Sequence, residues 1–535
     1  MTTAGDPGPR QAAPLAGAAG CLAAGLALAV GELAGAVSTR VPSLVTVVGQ
    51  AFIREAPAGF GRAAIETVGR RDKPLVVAGT VLGALAIGIA AGVLARRRPR
   101  VGDAAFVVFG ALAVACAARI GEVSTAGTAA GATAAALAGA VALRLLLSAL
   151  WAGPDDPVAV PPPLAPAPAP DAGVLLPGSG VSRRRFLSAA SVAGGATGAA
   201  LAAGWAIRRT GAGAPEPVAT RLPPAADPAP APAGAEALHV EGLSPLVTPT
   251  GRFFRIDEAL VAPAVDLRSW RLRVTGLVDT PLELTYDQLL AEPLVERHIT
   301  LACVSSEVGG PLVGTSRWLG VPLAHLLRRA GVRPDATQVV GRSVDGFTAG
   351  FPVEVAMDGR DALVAVAMEG RPLPRVHGFP ARLVVPGLYG YLSATKWLRQ
   401  IELTTWDAFD AYWVERGWAG RAPVKVQSRI DVPRPFGDVA AGRRTVAGVA
   451  WAPGRGIGAV EVKVDDGPWR QAGLGPSLGD DAWRQWATEW TAAPGHHAVT
   501  VRATTADGEK QTAVKHAAFP DGATGRHQVE VWVRE

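Results

Sequence analysis

The stretch LVVAGTVLGALAIGIAAGVLA, residues 75–95, runs for 21 residues without a charged side chain. At about 1.5 Å per residue, a helix of this length crosses a hydrocarbon core of about 30 Å. Four more apolar runs of this kind lie near residues 12–37, 104–120, 126–150 and 186–207. The sequence therefore predicts an N-terminal, all-α transmembrane bundle of about four helices within residues 1–150, and a fifth span within residues 182–207.

Basic side chains predict how these spans are oriented. Two clusters flank the second and fifth spans: Arg96, Arg97, Arg98 and Arg100, and Arg183, Arg184 and Arg185. Because basic residues collect on the cytoplasmic side, both clusters fit a cytoplasmic N-terminus and a fifth span that runs outward. We therefore expect a multi-pass protein of the cell membrane whose C-terminal 300 or so residues lie on the extracytoplasmic side.

The motif SRRRFL, residues 182–187, precedes a weakly apolar span of small residues. This combination is typical of a twin-arginine export signal. A twin-arginine system moves folded proteins, so its cargo often carries a cofactor that was inserted in the cytoplasm. The alternative is a plain membrane anchor, for which any basic triplet would serve.

Charge and histidine content exclude two classes of function. The formal net charge is only +6 over 535 residues, and the arginines are spread along the chain, so we predict no nucleic-acid partner. None of the eight histidines falls in a predicted span, which argues against a transmembrane b-type haem with two histidine ligands. No haem-domain pattern precedes residue 240 either, so we predict no haem.

Two proline-rich segments, residues 151–181 and 208–239, predict extended spacers without a packed core. Between residues 240 and 405, strand patterns such as WRLRVTGLV alternate with helical patterns such as LAHLLRRAG, which indicates an α+β domain. Residues 406–535 consist of short strand patterns separated by turns such as DDG and ADG, which predict a β-sandwich.

Cys303, in LACVSSEVGG, is the one cysteine outside the apolar N-terminal part, so it has no disulfide partner in the C-terminal half. A buried structural thiol is one interpretation. Outside the cytoplasm, however, an unpaired thiol is tolerated best when it is ligated or sequestered, and turn-rich loops often carry function. A nucleophilic Cys–His pair, with His298 or His377 as the base, is a third interpretation.

Four motifs, which follow one another along the chain, bear on the choice between these interpretations of Cys303. They are TPTGRFFRID (248–257), LACVSSEVGG (301–310), GTSRWLGVPL (314–323) and HGFPARLVVPGLYGYLSATKWL (377–398). Together they resemble the sulfite oxidase family of molybdopterin enzymes, and most closely its membrane-anchored bacterial members. The resemblance covers about residues 240–535. It implies a molybdopterin-binding oxidoreductase domain at 240–405 and an immunoglobulin-like β-sandwich of the dimerisation type at 406–535.

The resemblance also implies roles for particular residues. Cys303 matches the cysteine whose thiolate coordinates molybdenum, and a soft anionic sulfur suits that metal. Arg317 matches an arginine near the metal and its anionic substrate. The remaining matches are cofactor-binding positions: Phe254, Arg255, Asp345, His377, Arg382, Ser393 and Lys396. An arginine can grip the pterin phosphate with two hydrogen bonds, whereas a lysine acts as a point charge.

One position departs from the family pattern. Related sequences commonly carry asparagine where this chain has Ser306, a position that either touches the metal's oxo ligand or supports the loop. Because no haem domain is evident, an external redox partner is needed. The implied reaction moves an oxygen atom at molybdenum, on a small oxyanion such as sulfite or on an S-oxide.

Rival interpretations remain open at this point. A membrane-anchored binding module whose cofactor site has decayed would explain Ser306, and a Cys–His hydrolase would need a histidine beside Cys303. A homodimer follows from the family's use of its second domain. The tryptophans of residues 406–535 would then cover a dimer interface, or else they fill a sandwich core.

Overall fold

The computed structural model describes residues 12–37, 41–55, 72–120, 124–151, 183–209, 221–234 and 237–535. It divides into two compact units, Met1–Glu216 and Pro217–Glu535, which are described here one at a time. Residues 152–181 of the first proline-rich segment lie outside the described residues, as do 210–220 and 235–236 of the second. The same holds for Ser182 and for the side chains of Arg183 and Arg184 in the twin-arginine-like motif.

The described part of the first unit is helical. Its helices are α1 Ala12–Val37, α2 Leu44–Glu55, α3 Asp72–Ala95, α4 Pro99–Ile120, α5 Thr125–Trp151 and α6 Arg183–Arg209. Among the described residues, all of these except α2 are long and apolar enough to cross a membrane, with a mean hydropathy between 1.4 and 2.2. The prediction of five such helices is therefore confirmed, and it indicates membrane association.

Small residues let the helices of this unit approach one another closely. A Cβ atom added at Gly20 of α1 would lie 2.0 Å from the carbonyl oxygen of Gly88 in α3. Such close backbone approach is typical of helix packing in membranes. Charged groups near the spans are paired: Arg144 of α5 bonds Asp103 of α4, with Nε 3.0 Å from Oδ1.

The second unit begins with an α+β region whose short helices flank two five-stranded sheets. The first sheet has the order β2-β1-β10-β5-β6, and the second has the order β3-β4-β7-β8 with β9 paired to β7. The strands are β1 Leu272–Gly276, β2 Leu282–Leu284, β3 Val295–Ala302, β4 Val313–Pro322, β5 Gln338–Ser343, β6 Thr348–Pro352, β7 Leu363–Met368, β8 Arg371–Pro372, β9 Arg382–Val384 and β10 Leu398–Thr404. The helices are α7 Tyr286–Leu290, α8 Leu323–Ala330, α9 Val353–Met357 and α10 Gly390–Ser393.

Helix α8 shows why the local sequence folds as it does. Its apolar side chains at Leu323, Leu326 and Leu327 are fully buried in the core between the sheets and helices. Gly331 ends the helix in the left-handed region with a φ of 69°, because glycine adopts that conformation without steric cost. Strand and helix patterns thus correctly predicted an α+β fold for this region.

The C-terminal region is rich in β-strands, arranged in sheets of the order β11-β13-β17-β16 and β12-β19-β18-β14-β15. The strands are β11 Gln427–Val432, β12 Asp438–Ala440, β13 Gly442–Trp451, β14 Ile457–Val464, β15 Arg470–Gln471, β16 Gly473–Leu474, β17 Arg484–Ala492, β18 Gly495–Thr505 and β19 Gln528–Arg534. One core contains side chains of both sheets, including Trp486, which is fully buried. Trp451 and Trp483 are buried as well. Interior packing thus accounts for these three tryptophans.

The second proline-rich segment differs from the expectation of a spacer over residues 221–234. The N–H of Ala226 donates to the carbonyl of Leu294, and the N–H of Glu296 donates to Asp227, both at 2.8 Å. Asp227 also forms an ion pair with Arg297 at 2.5 Å. The physical reason is that an extended proline-rich backbone can still bond to an edge strand, here β3, through its non-proline residues.

Candidate cofactor site

Cys303 begins a loop that connects the antiparallel strands β3 and β4. Its N–H donates to the carbonyl of Leu312 at 2.9 Å, which closes the loop at its base. Inside the loop, the N–H of Ser306 donates to Cys303 at 3.2 Å, and the N–H of Gly310 donates to Glu307 at 2.8 Å. The loop is therefore a pair of tight turns that follows directly on a buried strand.

The Cys303 thiol is half-buried, and its Sγ lies 3.0 Å from the hydroxyl oxygen of Ser305. Burial raises the pKa of this thiol above its ordinary value, and the Ser305 hydrogen bond offsets only part of that effect. The thiol is therefore protonated at neutral pH in the absence of a ligand. A thiol of this kind becomes an anionic ligand when a metal replaces its proton.

Arg382 and His377 lie together in the interior. Arg382 is 5% exposed, and its nitrogens reach backbone carbonyls alone, those of His377, Leu383 and Ala394, at 3.3–3.5 Å. Its guanidinium carbon lies 5.0 Å from the ring centroid of Trp318. Burial lowers the pKa of Arg382 to about 9, so the side chain is still charged at neutral pH.

His377 is 4% exposed, and its Nε2–H donates to the carbonyl of Thr250 at 3.1 Å. Burial and the positive charge of Arg382 lower the pKa of His377 to about 4, so the imidazole is neutral at neutral pH. A cavity of about 380 Å³ has Thr250, Glu369 and Arg371 among its lining residues. The neutral His377 ring is thus bonded to Thr250, a residue that lines this cavity.

Lys396, Arg255 and Asp257 form a second charged group near His377. The Lys396 ammonium bonds one Asp257 oxygen, and Arg255 lies 3.3 Å from the other. Lys396 also packs against Gly378, where an added Cβ would lie 3.0 Å from the lysine Cβ. The two cations share one carboxylate, so with Arg382 the cluster carries two net positive charges. Such a cluster suits a doubly charged anion such as a phosphate monoester.

The opening segment contributes aromatic rings. Phe253 is buried, with its ring centroid 5.9 Å from that of His377 and 5.7 Å from that of Trp318, edge-on in both cases. Phe254, the residue named from the sequence, stacks on Phe253 at 5.3 Å and is half-buried. Phe253 therefore packs against His377, whereas Phe254 packs on Phe253.

Arg317 forms no hydrogen bond or ion pair with this cluster in the described part of the chain, and its place near the metal ligand stays a prediction. The strand register pairs Arg317 of β4 with His298 of β3, five residues before Cys303, or roughly 16 Å along the strand. Strand alternation also places Arg317 on the face opposite Trp318. The guanidinium of Arg317 lies 3.5 Å from the carboxylate of Glu296, and the backbone N–H of Arg317 donates to the carboxylate of Glu369.

The two other predicted residues are Ser393, in a short helix, and Asp345, in a turn. Ser393 is fully buried in α10, and its hydroxyl donates to the carbonyl of Tyr389 at 3.3 Å. Asp345 lies in the β5–β6 turn, where its carboxylate accepts the N–H of Phe347 at 3.1 Å. The N–H of Val344 donates to Trp397, so this turn adjoins the segment of Lys396.

No histidine in the described part of the chain is recorded within hydrogen-bond distance of Cys303. His377 bonds Thr250, and His298 lies near Arg317, with its Nδ1 lacking a partner among the described residues. The raised pKa of the Cys303 thiol also opposes activation as a nucleophile. The geometry therefore gives the Cys–His hydrolase no support.

Comparisons with known proteins identify the family to which this chain is similar. A family model described as "Oxidoreductase molybdopterin binding domain" matches residues 259–413. Mitochondrial sulfite oxidase of Mus musculus is 31% identical over 290 residues, covering 45% of this chain and 52% of that protein. The uncharacterised oxidoreductase YuiH of Bacillus subtilis is 34% identical over 157 residues, covering 29% of this chain and 74% of that protein.

Among solved structures, the sulfane dehydrogenase SoxCD from Paracoccus pantotrophus is similar with 24% identity and a TM-score of 0.47, covering 55% of this chain and 88% of that chain. The family model and the sequence relatives define the class as molybdopterin-binding oxidoreductases. The chain belongs to the sulfite oxidase family of these enzymes. It spans about half the length of the mitochondrial relative it matches.

Sequence reasoning missed three residues that the structure places in the cluster. Phe253 was passed over for its neighbour, because two adjacent phenylalanines give no periodicity that shows which one faces inward. Trp318 and Asp257 lie inside the quoted motifs GTSRWLGVPL and TPTGRFFRID. The signal for Asp257 was an acidic residue in a segment that was otherwise expected to bind an anion.

Proposed function

We propose that this chain is a membrane-anchored oxidoreductase that transfers an oxygen atom to or from a small substrate, such as sulfite or an S-oxide, at a molybdenum centre ligated by Cys303. The main support is the state of Arg382. A fully charged guanidinium in the interior, bonded to backbone carbonyls alone, needs an anion to offset the cost of its burial. The pterin phosphate of the family's cofactor meets that need.

Different residues of the site bind different parts of the cofactor in this proposal. Arg382, Lys396 and Arg255 hold the anionic end, with Asp257 fixing the two outer cations. His377, neutral and tied to Thr250, offers its remaining ring nitrogen to the pterin. Phe254, Ser393 and Asp345 are the further residues proposed to contact the cofactor. Cys303 gives up its proton and supplies a soft sulfur ligand.

When bound, the cofactor supplies a molybdenum atom that exchanges an oxygen atom and two electrons with the substrate. An external redox partner delivers or removes those electrons. Aromatic residues pack beside the Cys303 loop in one cluster with Val304, among them Tyr389, Tyr391 and Trp418. They exclude water on that side, and such a wall is compatible with an uncharged S-oxide as well as with sulfite.

Further parts of the proposal concern location and assembly. Four points stay predictions: export through a twin-arginine route, an extracytoplasmic catalytic unit, an immunoglobulin-like topology for the C-terminal sheets, and a homodimer. Their support is the basic motif at Arg183–Arg185, the five apolar helices and the shared core of the two C-terminal sheets.

The test measures molybdenum and pterin in the full chain, purified from membranes of a host that makes the molybdopterin cofactor. We expect about one molybdenum atom per chain and a fluorescent pterin upon oxidation. Cys303→Ser should keep the pterin and change the visible spectrum of the metal, whereas the matched control Cys21→Ser should change neither. A folded protein with neither molybdenum nor pterin would instead identify a cofactor-less membrane-anchored binding module.

A further inference from the structure

The Cys303 loop touches the C-terminal β-rich region at its Gly309–Gly310 turn. Gly309 has a φ of 79°, and a Cβ atom placed there would lie 2.0 Å from the imidazole ring of His527. Only glycine fits at this contact, since it adopts the left-handed backbone and leaves room for the ring. The two surfaces therefore meet without a gap.

Arg429, on strand β11, bonds the same turn. Its Nη1 donates to the carbonyl of Gly310 at 3.0 Å. Its Nε donates to Asp431 at 2.6 Å, and its Nη2 donates to the hydroxyl of Ser244 at 2.8 Å. Arg429 is buried, so a side chain with three fixed acceptors holds the Gly310 carbonyl in one place.

His527 is itself fixed. Its Nδ1 accepts the N–H of Ile430 at 3.0 Å, next to Arg429 in the same strand. Burial and the positive charge of Arg429 lower the pKa of His527 to about 4, so the ring is neutral at neutral pH and can accept that bond. Strand β11 thus orients both side chains that contact the loop.

The loop has few other contacts that order it. Its internal hydrogen bonds are the short-range backbone bonds of two turns and the Cys303–Ser305 side-chain bond, Val304 is its one buried side chain, and Glu307 at its tip is exposed. A turn with two consecutive glycines loses more conformational entropy on ordering than other sequences do. Contacts from outside the loop therefore decide how firmly Cys303 is held.

We propose that Arg429 and His527 are positioning residues, which hold the Gly309–Gly310 turn and through it fix the Cys303 sulfur at the molybdenum site. The C-terminal β-rich region then forms part of the scaffold of the metal ligand. This proposal rests on the proposed role of Cys303, but the position of the sulfur can be measured without the metal.

The first experiment follows alkylation of Cys303 by iodoacetamide in cofactor-free full chain, in a Cys21→Ala, Cys116→Ala background, with mass spectrometry as the readout. Loss of a charge-assisted hydrogen bond should raise the loop-open population, and with it the alkylation rate, about tenfold in Arg429→Met. His527→Ala should act in the same direction. His527→Asn should restore the slow rate, because its side-chain oxygen can accept the Ile430 N–H.

Arg455→Met is the matched control, since Arg455 lies in the same region and bonds Asp507 and Glu509 at the surface. Its alkylation rate should match that of the parent protein. Melting by tryptophan fluorescence checks that each variant is folded at the assay temperature. If Arg429→Met is not folded there, the pair His527→Ala and His527→Asn carries the test. Equal alkylation rates in folded variants and parent would overturn the proposal.

The second readout uses the cofactor-loaded protein. Arg429→Lys, which keeps a partner for Asp431, should shift the sulfur-to-metal absorption band while the molybdenum content stays at the parental level. An unshifted band would contradict a positioning role at the metal. If the proposed function itself fails, Cys303→Ser leaves the spectrum unchanged, and the alkylation result still stands or falls by itself.

Discussion

The guanidinium of Arg382 lies over the ring of Trp318, with its carbon 5.0 Å from the ring centroid, and no carboxylate in the described part of the chain is paired with it. A cation–π contact is worth about 2 kcal/mol when desolvated, which is less than the penalty of several kcal/mol for burying an unpaired charge. The native structure therefore holds this charge at a cost that an anionic ligand would offset.

Arg382→Met should reduce the molybdenum and pterin content at least about tenfold, because one phosphate contact of this strength is worth about 1.5–3 kcal/mol. The same change should leave the melting temperature of the cofactor-free protein unchanged or raise it, since a buried unpaired charge is removed. Metal analysis and tryptophan fluorescence measure the two effects. Full cofactor content in the variant would refute the anchoring role of Arg382.

Asp257→Asn should destabilise the cofactor-free protein by about 3 kcal/mol, because it removes the carboxylate charge that faces the buried Lys396 ammonium. The two side chains are 5% and 11% exposed, so water does little to replace the bond. The double variant Asp257→Asn, Lys396→Met should recover most of the loss. Denaturant unfolding of the parent, of Asp257→Asn, of Lys396→Met and of the double variant gives the coupling free energy between the two side chains. Additive losses would show that the pair does not act as a unit.

Arg317→Met should leave the cofactor content at the parental level and change turnover by less than about threefold, because the half-exposed pair with Glu296 contributes at most about 1 kcal/mol. Steady-state kinetics with sulfite and with a small S-oxide provide the measurement. A large rise in KM for sulfite alone would show that Arg317 reaches the substrate after all.

Asp481 makes stability depend on pH. Burial, together with the charge of Asp361, raises the pKa of this carboxyl from 3.8 to about 6. The folded protein thus binds a proton more tightly than the unfolded chain, so stability is lost as the pH rises from about 4 to about 6 and stays lower above that range. Asp481→Asn should stabilise the protein by about 1–2 kcal/mol at pH 7.5 and hardly at all at pH 4. Melting curves at both pH values test this. Equal stabilisation by Asp481→Asn at the two pH values would contradict the raised pKa of Asp481.

The sequence predicted those elements that depend on local pattern. The five apolar helices follow from uninterrupted hydrophobicity, and α8 follows from its apolar spacing and Gly331. The motifs singled out His377, Arg382, Lys396 and Arg255, which lie near one another in the structure, and their role in binding the cofactor stays a prediction.

Pairing between distant segments could not be predicted in the same way. Nearly every residue of β4 is buried, so its pattern does not show which face Arg317 takes. The face and distance of Arg317 follow from its register with β3, which is a tertiary property. The contacts of Arg429 and His527 with the Cys303 loop join residues more than 100 positions apart and leave no local signal.

The bonds between residues 221–234 and strand β3 affect how the enzyme behaves in a crowded solution. Strand β3 is the outer strand of its sheet, and an unpaired outer strand is a template on which another polypeptide can add. By bonding Leu294 and Glu296, the proline-rich segment occupies part of that template, and its prolines have no N–H to offer a further strand. The segment thus protects the catalytic unit against edge-to-edge aggregation.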